Sequence, residues 1–579
     1  MNISSVLRNL NEFAKILYVF TVLILTACQT VFPTPTLAPP DEVSPPARPE
    51  PSTPEVTLMP SSNPSPPSPT ASPTATPSPT SSAPIKGGTA ILGLIGQPKS
   101  LNPVTENNLA LRELSPLLFD TLLQVDPQTA QLQPGLAQDW EYSNDGRQVI
   151  FHLPANLKWS NGASFSAADI ADSLEATQHP ALLAFSNISA RDDNTLVFTF
   201  LDIDCAAVTT LAQLPLVPST EITATVPVGN GPFVVSEWSA NRRTLNLMPN
   251  PHYHGPTPYL DGLTIRFLHE DEIPIALSEG QFDAIGPIEL PIVNDQLLMA
   301  NSSLNINNSQ FTVHTYPAPQ VIYIAINYAP HNDPPLASQI RKALVLVLDR
   351  EAILAETLNG DGQLMAASLL PSHWAANNSL SPPEYDPDTA RNLLAEAGLN
   401  DTDGDGWLEQ NSERLELSIR LNGKNALQQN LGWLVSSYYR DLGLFARAES
   451  VPFDSVVDDL FTHDFVLAIY SWPILPDPDQ RLFWHSTENT EGIGLNFTSY
   501  NNSQMDELLA EGIAIPGCQP QDRAEIYAEA QRILAEDRPV DFLLTPNRHI
   551  LVSNRLRGLQ PGPFTPFTWN VSEWYLEGE

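Results

Sequence analysis

The sequence predicts a mixed α/β protein of two or three lobes, and three observations lead to that prediction. The part of the chain from Ile85 to Glu579 has 495 residues, more than one hydrophobic core normally organises. Runs of β-branched and aromatic residues, such as 149–153 and 321–327, are typical of strands. Between such runs, apolar residues recur at helical spacing, as they do over 425–442.

The stretch from Pro134 to Ser173 shows how local signals define consecutive elements. Asn144-Asp145-Gly146 predicts a turn, because Asn and Asp tolerate left-handed backbone geometry and Gly has no Cβ. The strand over 149–153 follows, and Asn161-Gly162 predicts a second turn. Ser166 and Asp169 have capping-box spacing, so a helix should begin there.

Further elements follow in the same way along the chain. Strands are predicted near 86–92, 196–200 and 465–470, and a helical stripe runs from Leu336 to Leu348. Asp386 is a predicted N-cap with Pro387 at the first helical position, and Gly398 marks the end of that helix. Two more helices are expected around 505–513 and 523–536, and the last strands should return to the first lobe.

Composition and motifs exclude several classes of function. The formal net charge of −38 provides no basic face for phosphate groups, so no nucleic-acid partner is expected. The chain has no Gly-x-Ser-x-Gly elbow, no His-Glu-x-x-His, no glycine-rich phosphate loop and no Cys/His zinc cluster. We therefore predict a protein that is not an enzyme.

The first 84 residues predict export and a tether. Arg8 and Lys15 precede a short apolar run, and Leu25-Thr26-Ala27-Cys28 resembles a bacterial lipobox. That resemblance implies a signal peptide over 1–27 and a lipid anchor on Cys28. From Gln29 to Pro84 there are 18 prolines in 56 residues, so segment 28–84 should be a disordered tether.

The ordered series of motifs resembles the extracytoplasmic solute-binding proteins of the peptide/nickel class, family 5, which are the receptors of ABC importers. Among the matching motifs are Pro98–Pro103, Gly229–Phe233, Asn250–Tyr253, Asp349-Arg350 and Asp477-Pro478. The resemblance extends in order from Lys86 to Trp569 in more than six blocks.

The resemblance implies a periplasmic-binding-protein-like fold of type II, with two lobes, a hinge and an extra subdomain. The implied boundaries are 85–320 for lobe I with an inserted subdomain at about 121–225, 321–545 for lobe II, and 546–579 for the return to lobe I. It also implies an extracytoplasmic, lipid-anchored monomer that captures a peptide or other polar solute and delivers it to ABC permease subunits. The alternative is a membrane-tethered receptor or interaction protein that is not coupled to transport.

Alignment to the ligand-facing segments of the family gives the candidate ligand-binding residues, which are Glu106, Asn107, Asn230, Asn327, Asn422, Ser471, Trp472 and Asp477. Two positions depart from the pattern of peptide-binding relatives. Leu475 stands where those relatives carry an Asp for the amino terminus of the peptide. Pro473 lacks the N–H that pairs with the peptide backbone. We therefore expect weak binding of ordinary di- to pentapeptides, because a buried ammonium group without a partner is costly.

One constellation could hold a metal ion, and one pair of cysteines could form a disulfide. Asp401, Asp403 and Asp405 alternate in a glycine-containing loop that resembles a calcium loop, and Glu409 is a fourth candidate ligand at its end. Ser412 stands where an EF-hand has its bidentate Glu, so a plain Asp-Gly turn remains the alternative. No other cofactor is expected. The sequence leaves open whether Cys205 and Cys518 pair, since their separation in space cannot be read from it.

Overall fold

The computed structural model describes residues 84–289, 311–328 and 336–577. The predicted signal peptide, Cys28 and all but the last residue of the predicted tether lie outside the described residues. None of the helices within the described ranges has the length and apolar composition needed to cross a membrane.

Strands occur along the whole of the described part of the chain. In chain order they are β1 (Thr89–Ile95), β2 (Leu123–Val125), β3 (Leu132–Pro134), β4 (Asp139–Tyr142), β5 (Gln148–His152), β6 (Phe185–Asp192), β7 (Thr195–Phe200), β8 (Phe233–Trp238), β9 (Thr244–Pro249), β10 (Gly262–Leu268), β11 (Ala284–Glu289), β12 (Phe311–Pro317), β13 (Gln320–Ile326), β14 (Gly362–Leu364), β15 (Glu409–Gln410), β16 (Glu413–Arg414), β17 (Glu416–Asn422), β18 (Phe445–Val451), β19 (Leu467–Pro473), β20 (Val540–Ser553), β21 (Leu556–Arg557) and β22 (Tyr575–Leu576).

The α-helices of the same ranges are interspersed with these strands. They are α1 (Leu109–Leu118), α2 (Ala167–Thr177), α3 (Cys205–Thr210), α4 (Ile273–Glu279), α5 (Ser338–Leu346), α6 (Arg350–Leu358), α7 (Pro387–Glu396), α8 (Ala426–Asp441), α9 (Phe453–Phe461), α10 (Arg481–Trp484), α11 (Ser503–Ala514) and α12 (Pro520–Asp537).

A long strand, β20, belongs to both halves of the molecule. Its first part pairs with β13 through Val540–Leu544, and its second part pairs with β11 and β12 through Arg548–Ser553. The sheet order is therefore β18-β17-β19-β13-β20-β11-β1-β10-β9-β8. One lobe is built on the strands from β18 to β13 and the other on those from β11 to β8.

The chain crosses between these lobes twice within a small region. One crossing is the link between β12 and β13, and the other is the middle of β20. Ala318 N–H donates to the Pro546 carbonyl at 2.8 Å, and Thr545 Oγ1 donates to the Ala318 carbonyl at 2.9 Å. The predicted boundaries at 320/321 and 545/546 fall beside these crossings.

An insertion between α1 and β8 forms a sheet of its own, with strand order β4-β5-β7-β6. Phe151 and Phe198 are fully buried and meet edge to face at 5.3 Å, while Phe185 packs on the other side of Phe198. Helix α2 covers this core through Ile170 and Leu174, as the capping-box spacing predicts. Asp169 accepts hydrogen bonds from both the N–H and the hydroxyl of Ser166 at 2.8 Å.

Two sequence expectations about element boundaries are wrong. The stripe from Leu336 to Leu348 is helical only over helix α5, and Asp349 caps a separate helix by accepting from the Ala352 N–H at 3.0 Å. The strand expected over 465–470 lies at Leu467–Pro473 instead. It extends to Pro473 because β13 runs beside it down to Gln320.

Candidate functional site

From Ile469 to Pro473, strand β19 presents a backbone edge without a strand partner in the described part of the chain. Its other edge pairs with β13, and Ile474 N–H donates to the Pro319 carbonyl at 2.8 Å. Because hydrogen bonding alternates along an antiparallel pair, the peptide groups of Ser471 and Pro473 point away from β13. On that outward side β17 pairs only with Leu467 and Ala468. Because Pro473 has no backbone N–H, this edge lacks one hydrogen-bond donor, as the sequence predicts.

A cavity of about 20 Å³ lies beside the end of β19, which is room for about one water molecule. Its walls combine aromatic rings with polar groups, among them Phe483, Gln480 and Asp479. Two polar atoms in its lining residues, Trp472 Nε1 and Ser368 Oγ, are buried and have no hydrogen-bond partner within the described residues. Because unpaired buried polar groups are costly, these atoms are available to a polar ligand or a water molecule.

The Trp472 ring itself is largely buried. Its side chain is 6% exposed and packs edge to face against Phe483 with 4.1 Å between ring centroids. Phe497 lies further off at 6.2 Å in the same apolar cluster. Trp472 therefore offers its N–H, rather than an open ring face, to the cavity.

Asp477 is fully engaged in a buried ion pair. Arg523 donates to both of its oxygens, at 2.7 and 2.8 Å, and Thr209 Oγ1 donates at 2.8 Å. Burial opposes ionisation of this carboxyl, but Arg523 and Thr209 outweigh burial and lower the pKa of Asp477. Asp477 lines the cavity as an already neutralised carboxylate.

Asp479 forms a second ion pair at the same place. Arg481 contacts both of its oxygens at 3.0 to 3.1 Å and also reaches Asp204 at 3.2 Å. Burial is the stronger influence here and raises the pKa of Asp479 despite Arg481. Asp204 and Thr209 belong to the inserted subdomain. Their contacts with Arg481 and Asp477 therefore connect that subdomain to both ion pairs of lobe II.

The disulfide that the sequence leaves open is formed at the same contact. Cys205 in α3 is bonded to Cys518 in the turn between α11 and α12, with 5.5 Å between the Cα atoms. The inserted subdomain is thus linked to lobe II by a covalent bond as well as by hydrogen bonds.

Two other expected ligand residues, Glu106 and Asn327, form hydrogen bonds with backbone groups of this chain. Glu106 accepts hydrogen bonds from the N–H groups of Lys99 and Ser100, at 2.9 and 2.5 Å. Asn327 Nδ2 donates to the carbonyls of His463 and Phe465, at 2.6 and 2.9 Å.

Four further members of the predicted set lie elsewhere. Asn230 Oδ1 accepts from the Asp120 N–H at 2.9 Å, and Asn422 Oδ1 accepts from the Lys424 N–H at 3.0 Å. Asn107 is exposed and Ser471 is half-buried. Among all eight predicted residues, Trp472 and Asp477 line the cavity. Ligand contact by all eight residues stays a prediction.

Sequence reasoning missed a pair of cations, Arg112 on α1 and Arg548 on β20. The Arg112 side chain is exposed to solvent, yet burial and then the charge of Arg548 lower its pKa. Burial likewise raises the pKa of the adjacent Glu113 to about 7, against the Phe567 N–H and the two arginines. Arg112 forms no side-chain hydrogen bond within the described ranges.

The cavity and the arginine pair both adjoin the chain crossings. Ile474 in the cavity wall bonds to Pro319, and Pro546, two residues before Arg548, bonds to Ala318. By contrast, Asp401, Asp403, Asp405 and Glu409 lie close together on a separate loop, and none of them lines the cavity.

Two lobes joined by two neighbouring chain crossings are the architecture of a two-lobed binding protein. The chain belongs to the bacterial extracellular solute-binding proteins of family 5, whose family model, described as the middle part of these proteins, matches residues 131–493. It is a substrate-binding protein of an ABC importer.

Individual relatives share this fold at low identity. The chain is 23% identical over 522 residues to the oligopeptide-binding protein AppA of Bacillus subtilis, covering 85% of this chain and 92% of the relative. It is 24% identical over 493 residues to heme-binding protein A of Haemophilus influenzae, covering 77% and 85%. The solved structure of HbpA2 from Haemophilus parasuis superposes with a TM-score of 0.71 at 19% identity, covering 85% of this chain and 100% of that one.

Proposed function

We propose that this protein captures a polar solute with an anionic group and hands it to the importer's permease. Ordinary short peptides with a free amino terminus are poor ligands in this proposal. The observation that carries it is the pairing of charges around the candidate site. Asp477 and Asp479, the acidic residues of the cavity wall, already face Arg523 and Arg481. Arg112 has no such partner within the described ranges.

Each part of this charge distribution has a consequence for ligands. A ligand ammonium group needs a carboxylate that is not already neutralised, since an unpaired buried charge is expensive. A ligand carboxylate or phosphate, by contrast, would pair with Arg112, which is exposed and lies near a second arginine, Arg548. Guanidinium groups bind such anions with paired, directional hydrogen bonds.

Relatives named after peptides give a second candidate ligand class. AppA is named an oligopeptide-binding protein, and its solved structure is described as a complex with a nonapeptide. A peptide held through its carboxyl terminus at Arg112, rather than through its amino terminus, is compatible with the same charges. A peptide held through its carboxyl terminus does not need a free amino terminus, whereas a peptide held through its amino terminus does.

Calorimetry on ligand-stripped protein tests the proposal. The panel contains short peptides with free amino termini, the same peptides N-acetylated, acidic non-peptide solutes and neutral oligosaccharides. We expect N-acetylation to leave affinity unchanged and Arg112→Gln to weaken anionic ligands at least tenfold (about 1.4 kcal/mol). Arg391→Gln, which removes an exposed arginine paired to Asp388 on α7, is the matched control. Micromolar binding of several unrelated peptides that is lost on N-acetylation would overturn the ligand assignment.

We also propose that the protein is a monomer held at the outer face of a membrane by lipid on Cys28. The basic residues, short apolar run and small residues before Cys28 support the anchor. Cys28→Ser should move the protein from the detergent phase to the aqueous phase in a detergent-partitioning assay. Retention of the variant in membranes would contradict the anchor and leave the ligand assignment untouched.

A further inference from the structure

The loop between α7 and β15 brings four carboxylates together. Asn400 and Glu409 close the loop through mutual backbone hydrogen bonds of 3.1 and 2.9 Å. Inside it, one carboxylate oxygen from each of Asp401, Asp403, Asp405 and Glu409 lies within 4.8 Å of the others. Like charges at such distances repel one another. Arg414 pairs with Asp405 and offsets one of the four charges.

Glu409 supplies a second and independent sign of a ligand. Its side chain is 6% exposed, and its Oε2 accepts hydrogen bonds from the N–H and the hydroxyl of Thr402, both at 2.8 Å. Its Oε1 is buried and has no hydrogen-bond partner in the described residues. A buried, unpartnered carboxylate oxygen is expensive unless a cation or a donor reaches it. Glu409 is at the same time one of the four clustered ligands.

We propose that Asp401, Asp403, Asp405 and Glu409 form a calcium site that stabilises lobe II. Calcium accepts six to eight oxygen ligands in flexible geometry, which suits alternating side chains on a loop. Magnesium favours a stricter octahedron with several retained waters, and no cysteine or histidine is present in the cluster for zinc. Ser412 does not weaken the site, because Glu409 already provides the buried acidic ligand.

The position of the loop shows what the ion would stabilise. Leu408 N–H donates to the Gly443 carbonyl at 2.8 Å, and the Trp407 ring meets Phe445 edge to face at 5.5 Å. Gly443 precedes β18, the outer strand of the lobe II sheet. The ion would therefore hold this loop against the edge of that sheet.

Terbium luminescence and thermal unfolding of the chelator-stripped full chain test the site. Trp407 is adjacent to the loop carboxylates and should sensitise bound terbium, and calcium should then displace it. We expect one saturable site with a Kd of about 1 mM or tighter, in the range of extracellular calcium modules. Calcium should raise Tm by roughly 1 °C at several times that concentration, and magnesium should do so less.

Variants distinguish calcium binding at this site from nonspecific attraction of calcium to an acidic protein. Glu409→Gln and Asp403→Asn should each weaken calcium binding at least tenfold, whereas Glu413→Gln, an exposed position in the neighbouring strand β16, should leave it unchanged. If Glu409→Gln does not fold, calcium binding by Asp403→Asn, which changes an exposed residue, tests the proposal. No response of the stripped wild type at about 5 mM calcium, well above the expected Kd, would overturn the proposal, as would equal losses in the Asp403 and Glu413 variants.

Discussion

Two regions join the two lobes, and they do so by different means. At the chain crossings, backbone strands run from one lobe into the other, and local hydrogen bonds such as Ala318 to Pro546 hold them together. In the second region, which we call the side-chain bridge, the inserted subdomain is connected to lobe II. It consists of the Cys205–Cys518 disulfide and the contacts of Thr209 with Asp477 and of Asp204 with Arg481.

The difference matters for how the protein can open. The crossings contain few residues and can absorb a change of backbone angles, as hinges do. The side-chain bridge restrains any separation of the inserted subdomain from lobe II, because a covalent bond and two ion-pair networks meet there. A solute-binding protein that opens and closes must therefore either bend around the bridge or break its non-covalent part.

The largest expected effect comes from breaking the buried ion pair of the bridge. Arg523→Ala would leave Asp477 charged and buried, which typically costs about 3–5 kcal/mol of unfolding free energy. Arg523 is 3% exposed and also donates to the Gly512 carbonyl at 2.8 Å. Denaturant unfolding measures the loss. Arg532→Ala, on the exposed face of the same helix α12, is the control and should change stability little. Equal losses of unfolding free energy in the two variants would show that the buried ion pair stabilises the protein no more than an exposed one.

The next effect concerns the disulfide. Cys205→Ser should lower the unfolding free energy by about 2–5 kcal/mol, because the bond closes a loop with a sequence separation of 313. Cys518→Ser should give the same loss, and the double variant no more than either alone.

The same variants test whether the bridge limits opening. Small-angle X-ray scattering of the ligand-free Cys205→Ser protein should give a larger radius of gyration than the oxidised wild type, since one restraint on lobe separation is gone. Identical scattering curves, with the stability loss still present, would mean that the bridge stabilises the fold without restricting the lobes.

The sequence predicted individual strands and helices much better than the side-chain bridge. The strand around Val321–Ile326 and the helix capped by Asp386 follow from local patterns, and both are present. The bridge depends on residues hundreds of positions apart, and nothing in the neighbourhood of Cys205 or Asp477 indicates which residue each will meet. Arg112 was missed for the same reason, because its desolvation arises from the fold around it and not from its neighbours in sequence.

The smallest expected effect lies at the crossings and depends on pH. Asn547 and His549 lie just beyond the middle of β20. Asp361 accepts a hydrogen bond from Asn547 Nδ2 at 2.7 Å, and its carboxylate lies 2.7 Å from His549 Nε2. Burial opposes ionisation of Asp361, but His549 and Asn547 outweigh it and lower its pKa. A carboxyl whose folded pKa is depressed stabilises the fold above its unfolded pKa of about 4, and this contribution disappears as pH falls through the folded pKa.

Asp361→Asn should therefore destabilise the protein by about 1 kcal/mol at pH 7, and the difference from wild type should shrink as the pH falls below about 4. Unfolding curves recorded between pH 7 and pH 3 measure it, with the exposed Asp388→Asn as the control. The effect is small because backbone pairing, which Asp361 does not change, continues to join the lobes at the crossings. A loss as large as that of Arg523→Ala would mean that the crossings, like the bridge, depend on buried side-chain charges, and the contrast between the two regions would then be wrong.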